Sequence, residues 1–566
     1  MSVSTASWAR AAHQRSGEGW ALPTVGVVVA ALLFISLALP LLLMVGKSLT
    51  TSAGEFIGLA SYREYLASPR AWVSMGNTLF IGVASTALTV PLAFIYAYAI
   101  HRACLPAKGL FRAVALVPLL TPSLLFALSL VQLFGNQGLF KGWISAESLY
   151  GPWGIVVGMT FAHFPHTFMV LSAALLLADR RHYEAAAAMG TPPWRVLWTL
   201  TLPAVKYGLI SACIISFMLS ITDFGIPKVI GGSYAVLATD IYKQVIGQQN
   251  FQLGAVISVV LLVAAVATFV LARLVQKQQI HMVSGQAVPL QPQPHALRDR
   301  LLLVFCALVA VAIVGVLLVA AASSFIKFWP YNLSLTLKHY NFDLAAGGGW
   351  QAYRNSLQLA LWTAAVGTTV VFMGAYVVEK TRALPRVRHM IQTLAATPMA
   401  VPGLVLGLAY IFFFNHPVNP LGALYGSMTL LVVVTVVHFY SVTHFTMLTA
   451  LKQVDAEFEA VSDSLKASRW RTLRRVTLPL CLPAVLDVSI YYFLSAMTTV
   501  SAVVFLYSNQ TQLASISVLN MDDAGEYAHA IAMACVISAT CIAARVLHAV
   551  LTRGLALRSQ RWRAST

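Results

Sequence analysis

The sequence predicts an all-α membrane protein with about twelve transmembrane helices, arranged as two parallel six-helix halves. Hydrophobic residues make up 58% of the 566 residues and charged residues only 10%, whereas about a quarter of a soluble domain is charged. Apolar runs long enough to cross a hydrocarbon layer of about 30 Å recur along the chain. A six-span pattern occurs twice, and because six is even both halves should have the same orientation.

The apolar runs position the spans, which we number one to twelve in chain order. Such runs locate a helix better than they locate its ends. The predicted spans lie near 23–47, 73–100, 110–134, 152–178, 207–231, 252–274, 301–325, 354–378, 389–414, 422–449, 482–508 and 527–552.

The basic residues predict the orientation of the chain. Most of the 37 Lys and Arg residues fall on one side of the predicted membrane, which places both termini in the cytoplasm. This asymmetry accounts for the net charge of +18 without a nucleic-acid surface. The first span is too long for a signal peptide and is expected to stay as an anchor. The predicted organisation is a cytoplasmic tail 1–22, a first half 23–275, a flexible cytoplasmic linker 276–300 rich in Gln and Pro, a second half 301–553, and a cytoplasmic tail 554–566.

Proline pairs recur in spans three and nine. A proline in a membrane helix removes one backbone hydrogen bond and bends the axis. Such bends can line a translocation path, or they can serve ordinary helix packing. Because each pair recurs in both halves, a path that includes Pro118, Pro122, Pro398 and Pro402 stands as an alternative equal to helix packing.

The titratable side chains inside the spans do not form a set of ligands for a metal ion. The 6 cysteines are not arranged as CxxC pairs or at other spacings that would predict a disulfide or a metal site. His163, His166, His438 and His444 lie within spans, but no Cys or carboxylate nearby completes a ligand set. Hydrogen bonding explains these histidines, and we predict no metal site.

The most informative stretch is a short loop, Glu184 to Pro203, that occurs twice. An Ala-rich helix should end at Gly190 in a left-handed conformation, and a second short helix should start after Thr191 and end near Pro203. That second helix presents Trp194, Leu197 and Leu200 at helical spacing. At one constant offset, Trp194, Arg195, Leu197, Thr201, Leu202 and Pro203 recur as Trp470, Arg471, Leu473, Thr477, Leu478 and Pro479.

An exposed turn with Trp and Leu must cover its apolar side chains. A single such helix would be interpreted as lying on the membrane surface. Two copies on the same face favour a partner that is itself two-fold.

The pattern Glu184-Ala185-Ala186, Gly190 and Leu200-Thr201-Leu202-Pro203 resembles the EAA loop of permease subunits of ATP-binding-cassette importers. The resemblance implies the type I importer permease fold in a bacterial inner membrane. It also implies that each loop docks on a separate ATPase subunit, which binds ATP and Mg, and that a periplasmic binding protein delivers the substrate. The implied coupling residues are Glu184, Ala185, Ala186, Gly190, Trp194, Leu197, Leu202 and Pro203 in the first loop, and Glu459, Lys466, Trp470, Leu473, Leu478 and Pro479 in the second.

The chain itself is expected to bind no cofactor and to have no ATPase site. Its Gly46-Lys47-Ser48 lacks the preceding glycine of a phosphate loop and ends a membrane helix. We therefore expect a transporter subunit and no enzyme.

The second loop departs from the family pattern. Aligning Pro203 with Pro479 places Ala460 opposite Glu184, with Glu459 one residue early, and Lys466 opposite Gly190. A left-handed Lys costs roughly 1–2 kcal/mol more than Gly. We predict that the two loops dock unequally.

For the substrate, the run from Thr222 to Gly232 and its continuation from Ala238 to Phe251 are similar to permeases assigned to 2-aminoethylphosphonate uptake, and more loosely to ferric-iron permeases. We therefore rank 2-aminoethylphosphonate first as the expected substrate, with ferric iron as the alternative. Asp223 and Lys228 near the outer mouth could meet both charges of a zwitterionic phosphonate. A ferric ion would prefer carboxylate or tyrosine oxygens. The interpretation favoured over contact with a substrate is that the two charges belong to an interfacial loop that faces water and a binding protein.

Two other classes of protein are less consistent with the sequence. A proton-coupled secondary carrier can also have two parallel six-helix halves, but it usually places carboxylates in mid-membrane. Here Glu379 and Asp487 lie near cytoplasmic ends of spans. A membrane enzyme would need a nucleophile with a base, or a metal-ligand set, and neither repeats.

Overall fold

The computed structural model describes residues 21–51, 54–143, 149–176, 180–280, 292–381, 384–455, 457–465 and 467–559. Most of the predicted tail 1–22, the centre of the linker 276–300, the end of the tail 554–566 and Lys466 lie outside these residues.

Helices dominate the described chain, as predicted. The helices in the first part of the chain are Ala21–Leu33, Phe34–Ala38, Leu39–Ser48, Ala60–Ala67, Pro69–Arg102, Lys108–Leu116, Val117–Leu120, Ser123–Phe134, Pro152–Leu176, Arg180–Ala188, Pro193–Val196, Leu197–Thr201, Leu202–Thr222, Gly225–Ile230, Leu237–Tyr242, Lys243–Gly247 and Phe251–Ile280. The remaining helices are Ala296–Phe325, Lys338–Tyr340, Phe342–Leu344, Gly349–Lys380, Pro385–Ala396, Thr397–Ala400, Gly403–Phe414, Pro420–Leu424, Met428–His438, Tyr440–Lys452, Glu457–Ser464, Arg469–Thr472, Leu473–Thr477, Leu478–Thr498, Ala514–Asp523 and Tyr527–Ser559. The described strands, Ile326–Phe328 and Asn332–Leu335, form an antiparallel hairpin in which Ile326 pairs with Leu335.

The prediction of an all-α membrane protein is confirmed. Among the described residues, 9 helices are long and apolar enough to cross a membrane, and the number rises to 12 if each of 3 bent helix pairs is one span. The bent pairs are spans three, nine and ten of the sequence prediction.

The paired prolines lie at the sharpest bends. Helix Ser123–Phe134 leaves the preceding helix at 100°, and Gly403–Phe414 leaves its predecessor at 116°. Pro122 and Pro402 precede these helices with almost identical backbone angles, φ −59° and ψ 141° against φ −58° and ψ 144°. Each starts a new helix direction because its fixed φ suits the position before a helix and it has no N–H to continue the earlier one. The breaks are therefore much larger than the predicted kinks.

The chain forms two compact units, which do not follow the halves of the sequence. The first unit holds the described residues of Met1–Gly46, Arg354–Thr511 and Thr540–Thr566, and the second holds those of Lys47–Tyr353 and Gln512–Ala539. The first span thus belongs with most of the second half. The halves 23–275 and 301–553 stay a prediction about the repeat.

In the second unit, span seven packs among helices of the first half. Cys306 and Ile313 of helix Ala296–Phe325 join a buried cluster around Tyr96, whose ring makes edge contacts with Phe164 and Phe168. In the first unit, span one lies against helix Pro385–Ala396 and against the end of span eight. A Cβ on Gly26 would lie 2.9 Å from Val377, so these helices approach closely.

Candidate functional site

The first loop ends its Ala-rich helix as the sequence predicts. Gly190 has a φ of +65°. Its N–H donates to the carbonyl of Ala187 and the N–H of Thr191 donates to that of Ala186, both at 3.0 Å. These two bonds satisfy carbonyls at the helix end in the Schellman arrangement. The second loop has the corresponding outer bond, from the N–H of Ala467 to Ser462 at 3.0 Å.

The second helix of the loop does not end near Pro203, so that prediction is wrong. Pro193–Val196 runs through a π-helical turn, Leu197–Thr201, into the membrane helix Leu202–Thr222. The N–H of Leu202 donates to Leu197, five residues back, and this wider turn accommodates Pro203, which has no N–H.

The second loop repeats this π-helical turn at Leu473–Thr477, where the N–H of Leu478 donates to Leu473. The second helix of each loop is therefore continuous with its membrane helix. The continuous helices Pro193–Thr222 and Arg469–Thr498 are each 30 residues long.

The exposed surface of the loops differs from the predicted one. Trp194 is 68% exposed and Trp470 50% exposed, but Leu473 is only 2% exposed and belongs to the interior. Sequence reasoning missed Trp198, which is 65% exposed. Its spacing of one helical turn from Trp194 was the available signal. At the equivalent position of the second loop, the guanidinium of Arg474 lies 5.8 Å from the ring centroid of Trp470.

The acidic residues of the two loops lie in different surroundings. Glu184 is exposed and pairs at 2.5 Å with Arg180 of its own helix. Glu459 lies 2.9 Å from Lys380 at the end of span eight. Ala185 is exposed and Ala186 is buried. The shift of one residue in the second loop therefore turns its carboxylate inward.

Spans five and eleven end earlier than predicted. The helices stop at Thr222 and Thr498, and Asp223 and Thr499 continue in extended conformations. In the first half Asp223 lies between the end of span five and the next helix, which begins at Gly225. Its Oδ1 accepts the N–H of Ile226 at 3.1 Å and so caps Gly225–Ile230.

Asp223 and Lys228 both have protein partners. Oδ2 of Asp223 lies 3.5 Å from Nε2 of His163, and Nδ1 of His163 lies 3.3 Å from Oγ of Ser220. The Lys228 ammonium pairs with Oδ1 of Asp523 at 2.6 Å and lies 5.4 Å from the ring centroid of Tyr242. His163 is therefore held by polar contacts to Asp223 and Ser220.

The structure brings the proline break and the charged segment together. Helix Gly225–Ile230 packs against helix Ser123–Phe134, and a Cβ on Gly225 would lie 3.0 Å from Oγ of Ser123. The second half repeats this approach, because Gly403, next to Pro402, lies against Ser501. Pro122 thus positions the helix that carries Lys228. A role in translocation for the four prolines, Asp223 and Lys228 stays a prediction.

No cluster of three or more potential metal-ligating side chains occurs in the part of the chain that the structure describes. Next to the Lys228 ion pair, however, Asp522 is unusual. Burial and the neighbouring charge of Asp523 raise the pKa of Asp522 to about 7, although the Lys228 charge acts in the opposite direction.

Replacing Gly190 by Ala should loosen the first loop. A Cβ there meets nothing within 4 Å, so the cost of about 1–2 kcal/mol comes from the left-handed backbone alone. Hydrogen exchange at the Thr191 amide should speed up roughly tenfold. Gly109→Ala is the matched control, since its Cβ also meets nothing within 4 Å and its φ is not positive. Equal protection in both variants would show that the turn does not need glycine.

Asp522 should make stability depend on pH. Because its folded pKa is raised, the folded protein retains a proton that the unfolded chain releases, so stability falls as pH rises from the ordinary pKa to about 7. Asp522→Asn stays neutral and avoids this loss. Its unfolding temperature relative to wild type should rise by at least ~2 °C between pH 5 and pH 8. The exposed Glu55→Gln serves as control, and a parallel pH response of Asp522→Asn and wild type would refute the expectation.

Comparison with known proteins matches these features to one family. The family model for the inner membrane component of binding-protein-dependent transport systems matches residues 105–280 and again 371–557. A protein of Haemophilus influenzae named for a ferric transport system permease is 28% identical over 77% of this chain and 69% of its own length. The ferric transport system permease protein of Actinobacillus pleuropneumoniae is 27% identical over 80% of this chain and 66% of its own. A Salmonella typhimurium protein named for a 2-aminoethylphosphonate transport system is 26% identical over 42% of this chain and 85% of its own.

The two matched regions contain the two loops and their continuous membrane helices, and together they cover more than half of the chain. The protein belongs to the family of inner membrane components of binding-protein-dependent transport systems, with the permease domain present twice, and is a permease of an ABC importer.

Proposed function

We propose that this permease is driven by a separate ATPase dimer that docks on both loops and carries the ATP and Mg. The observation that supports this best is the duplicated loop with an exposed tryptophan, a π-helical turn and an unbroken connection to a membrane helix. An exposed aromatic side chain at a loop is typical of the anchors of protein interfaces.

The proposed mechanism is alternating access. Closure of the ATPase subunits on ATP moves the loops, and each 30-residue helix transmits that movement because it is continuous from the loop to its far end, although Pro483 removes one backbone hydrogen bond from the second helix. In the first half the far end is Asp223, which caps the helix that carries Lys228. Movement of the loop thus reaches the Lys228–Asp523 ion pair through rigid elements. A periplasmic binding protein delivers substrate there, with the permease in a bacterial inner membrane and both termini in the cytoplasm.

Ferric iron is the first substrate to test. The relatives that support it match 77% and 80% of this chain and are named for ferric transport. Ferric ion binds oxygen ligands. Three oxygen-bearing side chains interact here, because burial and the charge of Asp522 both raise the pKa of Tyr150, and the same charge acts on Tyr527.

2-Aminoethylphosphonate, which the sequence ranked first, becomes the second candidate. The Salmonella relative supports it over 42% of the chain. The charge argument for a zwitterion has lost support, because Asp223 and Lys228 each have protein partners.

The tryptophans provide a test of unequal docking. Trp194→Ala with Trp198→Ala removes two exposed rings from the first loop, whereas Trp470→Ala removes one from the second. We expect ATPase affinity, measured on the purified permease in nanodiscs, to fall by roughly tenfold or more in the first variant and less in the second. Trp143→Ala is the control, because Trp143 is 78% exposed and lies outside the loops. Equal losses from the two loops would contradict unequal docking.

The substrate is tested with the cognate binding protein. Purified binding protein is titrated with ferric ion and with 2-aminoethylphosphonate, and the ligand that binds is then assayed for uptake into proteoliposomes containing permease and ATPase. We expect uptake of ferric iron that stops when ATP is withheld and persists with a protonophore. Binding of 2-aminoethylphosphonate alone would transfer the assignment to phosphonate, and uptake that a protonophore abolishes without any need for ATP would identify a secondary carrier.

A further inference from the structure

The two loops contact their neighbouring membrane helices through different kinds of side-chain interaction. In the alignment that pairs Pro203 with Pro479, Glu459 stands opposite Tyr183 and Ala460 stands opposite Glu184. The acidic residue of the second loop therefore occupies the position of a tyrosine in the first. The surroundings of the two positions show what each does.

In the first loop, Tyr183 lies against the last residue of span two. The guanidinium of Arg102 is 4.9 Å from the Tyr183 ring centroid, and its Nη2 donates to the carbonyl of Leu175 at 2.8 Å. The Tyr183 hydroxyl donates to Oγ1 of Thr201 at 3.1 Å. These contacts join span two, the Ala-rich helix and the π-helical turn through one aromatic ring.

In the second loop, the last residue of span eight takes the place of Arg102. The ammonium of Lys380 lies 2.9 Å from Oε1 of Glu459 and donates to the carbonyl of Val454 at 3.2 Å. The Lys380 side chain is 6% exposed and that of Glu459 is 21% exposed. An ion pair therefore stands where the first half has a cation over an aromatic ring.

We propose that the Lys380–Glu459 pair positions the second coupling loop, and that Glu459 is not a docking residue for the ATPase. This inference rests on the proposed coupling function. Glu459 faces span eight, and Ala460 occupies the position at which the first loop exposes Glu184. Breaking such a shielded pair by removing one partner leaves a charge without compensation, so the loop position depends on both residues.

A consequence is that the ATPase meets two different surfaces. The first loop offers Glu184 and Arg195 with Trp194 and Trp198, all exposed, so it carries charges of both signs. The second offers Trp470 with the exposed Arg471, Arg474 and Arg475. Charge complementarity then requires an acidic ATPase groove at the second loop, and ATPase binding there should weaken more with salt.

The experiment uses the full-length permease in nanodiscs with its ATPase, with folding checked by size-exclusion chromatography. Three variants change the Lys380–Glu459 ion pair. Glu459→Gln removes it, and Lys380→Glu with Glu459→Lys reverses its charges. Lys380→Arg with Glu459→Tyr replaces it by the cation–aromatic contact of the first loop. Glu184→Gln is the matched variant of the exposed acid. Both the ATPase affinity and the number of substrate molecules transported per ATP are measured.

We expect Glu459→Gln to lower transport per ATP roughly fivefold or more while ATPase affinity changes little, because the loop is present but poorly positioned. The reversed and the rebuilt pairs should restore coupling. Glu184→Gln should instead lower ATPase affinity. A Glu459→Gln variant that loses ATPase affinity as Glu184→Gln does, with no rescue by either double variant, would overturn the proposal.

Failure of the coupling function itself gives a different result. Wild-type permease would then show no ATPase binding and no ATP-dependent uptake, whatever the variants do. If Glu459→Gln does not fold, the two double variants still test the proposal. Only a direct contact between positions 380 and 459 predicts that either double variant transports as much substrate per ATP as wild type.

Discussion

The structure depends on one constraint: inside an apolar layer every backbone N–H and C=O needs a partner within the protein. Long helices meet it along most of the chain. Where a helix breaks, side chains replace the missing bonds. Asp223 accepts the N–H of Ile226, and the side-chain amides of Asn77 and Asn355 donate to the carbonyls of Ala235 and Gln510, both at 2.8 Å. These asparagines, which lie near the starts of spans two and eight, thus support irregular backbone in both halves.

The same constraint explains how a loop can act at a distance. Pro203 and Pro479 would interrupt a regular helix, yet the π-helical turns before them keep the hydrogen bonds continuous into spans five and eleven. Between loop and far end the first helix is an uninterrupted rod that stops at Asp223. A displacement of the loop is therefore passed to the far end of the helix, because little flexible backbone lies between them.

Duplication preserved the backbone of the loops more strictly than their side chains. The π-helical turns and the outer of the two bonds that end the first short helix of the loop recur at equivalent positions. The contacts to spans two and eight occur at equivalent positions but differ in chemistry. Arg102 lies over the Tyr183 ring in one half, whereas Lys380 forms an ion pair with Glu459 in the other. Backbone geometry limits where a contact can form, whereas several pairs of side chains can make it.

The sequence by itself determined the fold class, the approximate spans, the repeat and the glycine turn at Gly190. Each follows from local hydrophobicity or backbone preference, which need no knowledge of neighbours. Only the tertiary structure decided that Leu473 is buried, that span seven packs with the first half, and that Pro122 turns the chain by about 100° toward the helix that carries Lys228. It also decided that Glu459 faces Lys380, because a shift of one residue rotates a helical side chain by about 100° and only the packed neighbour shows what it then meets.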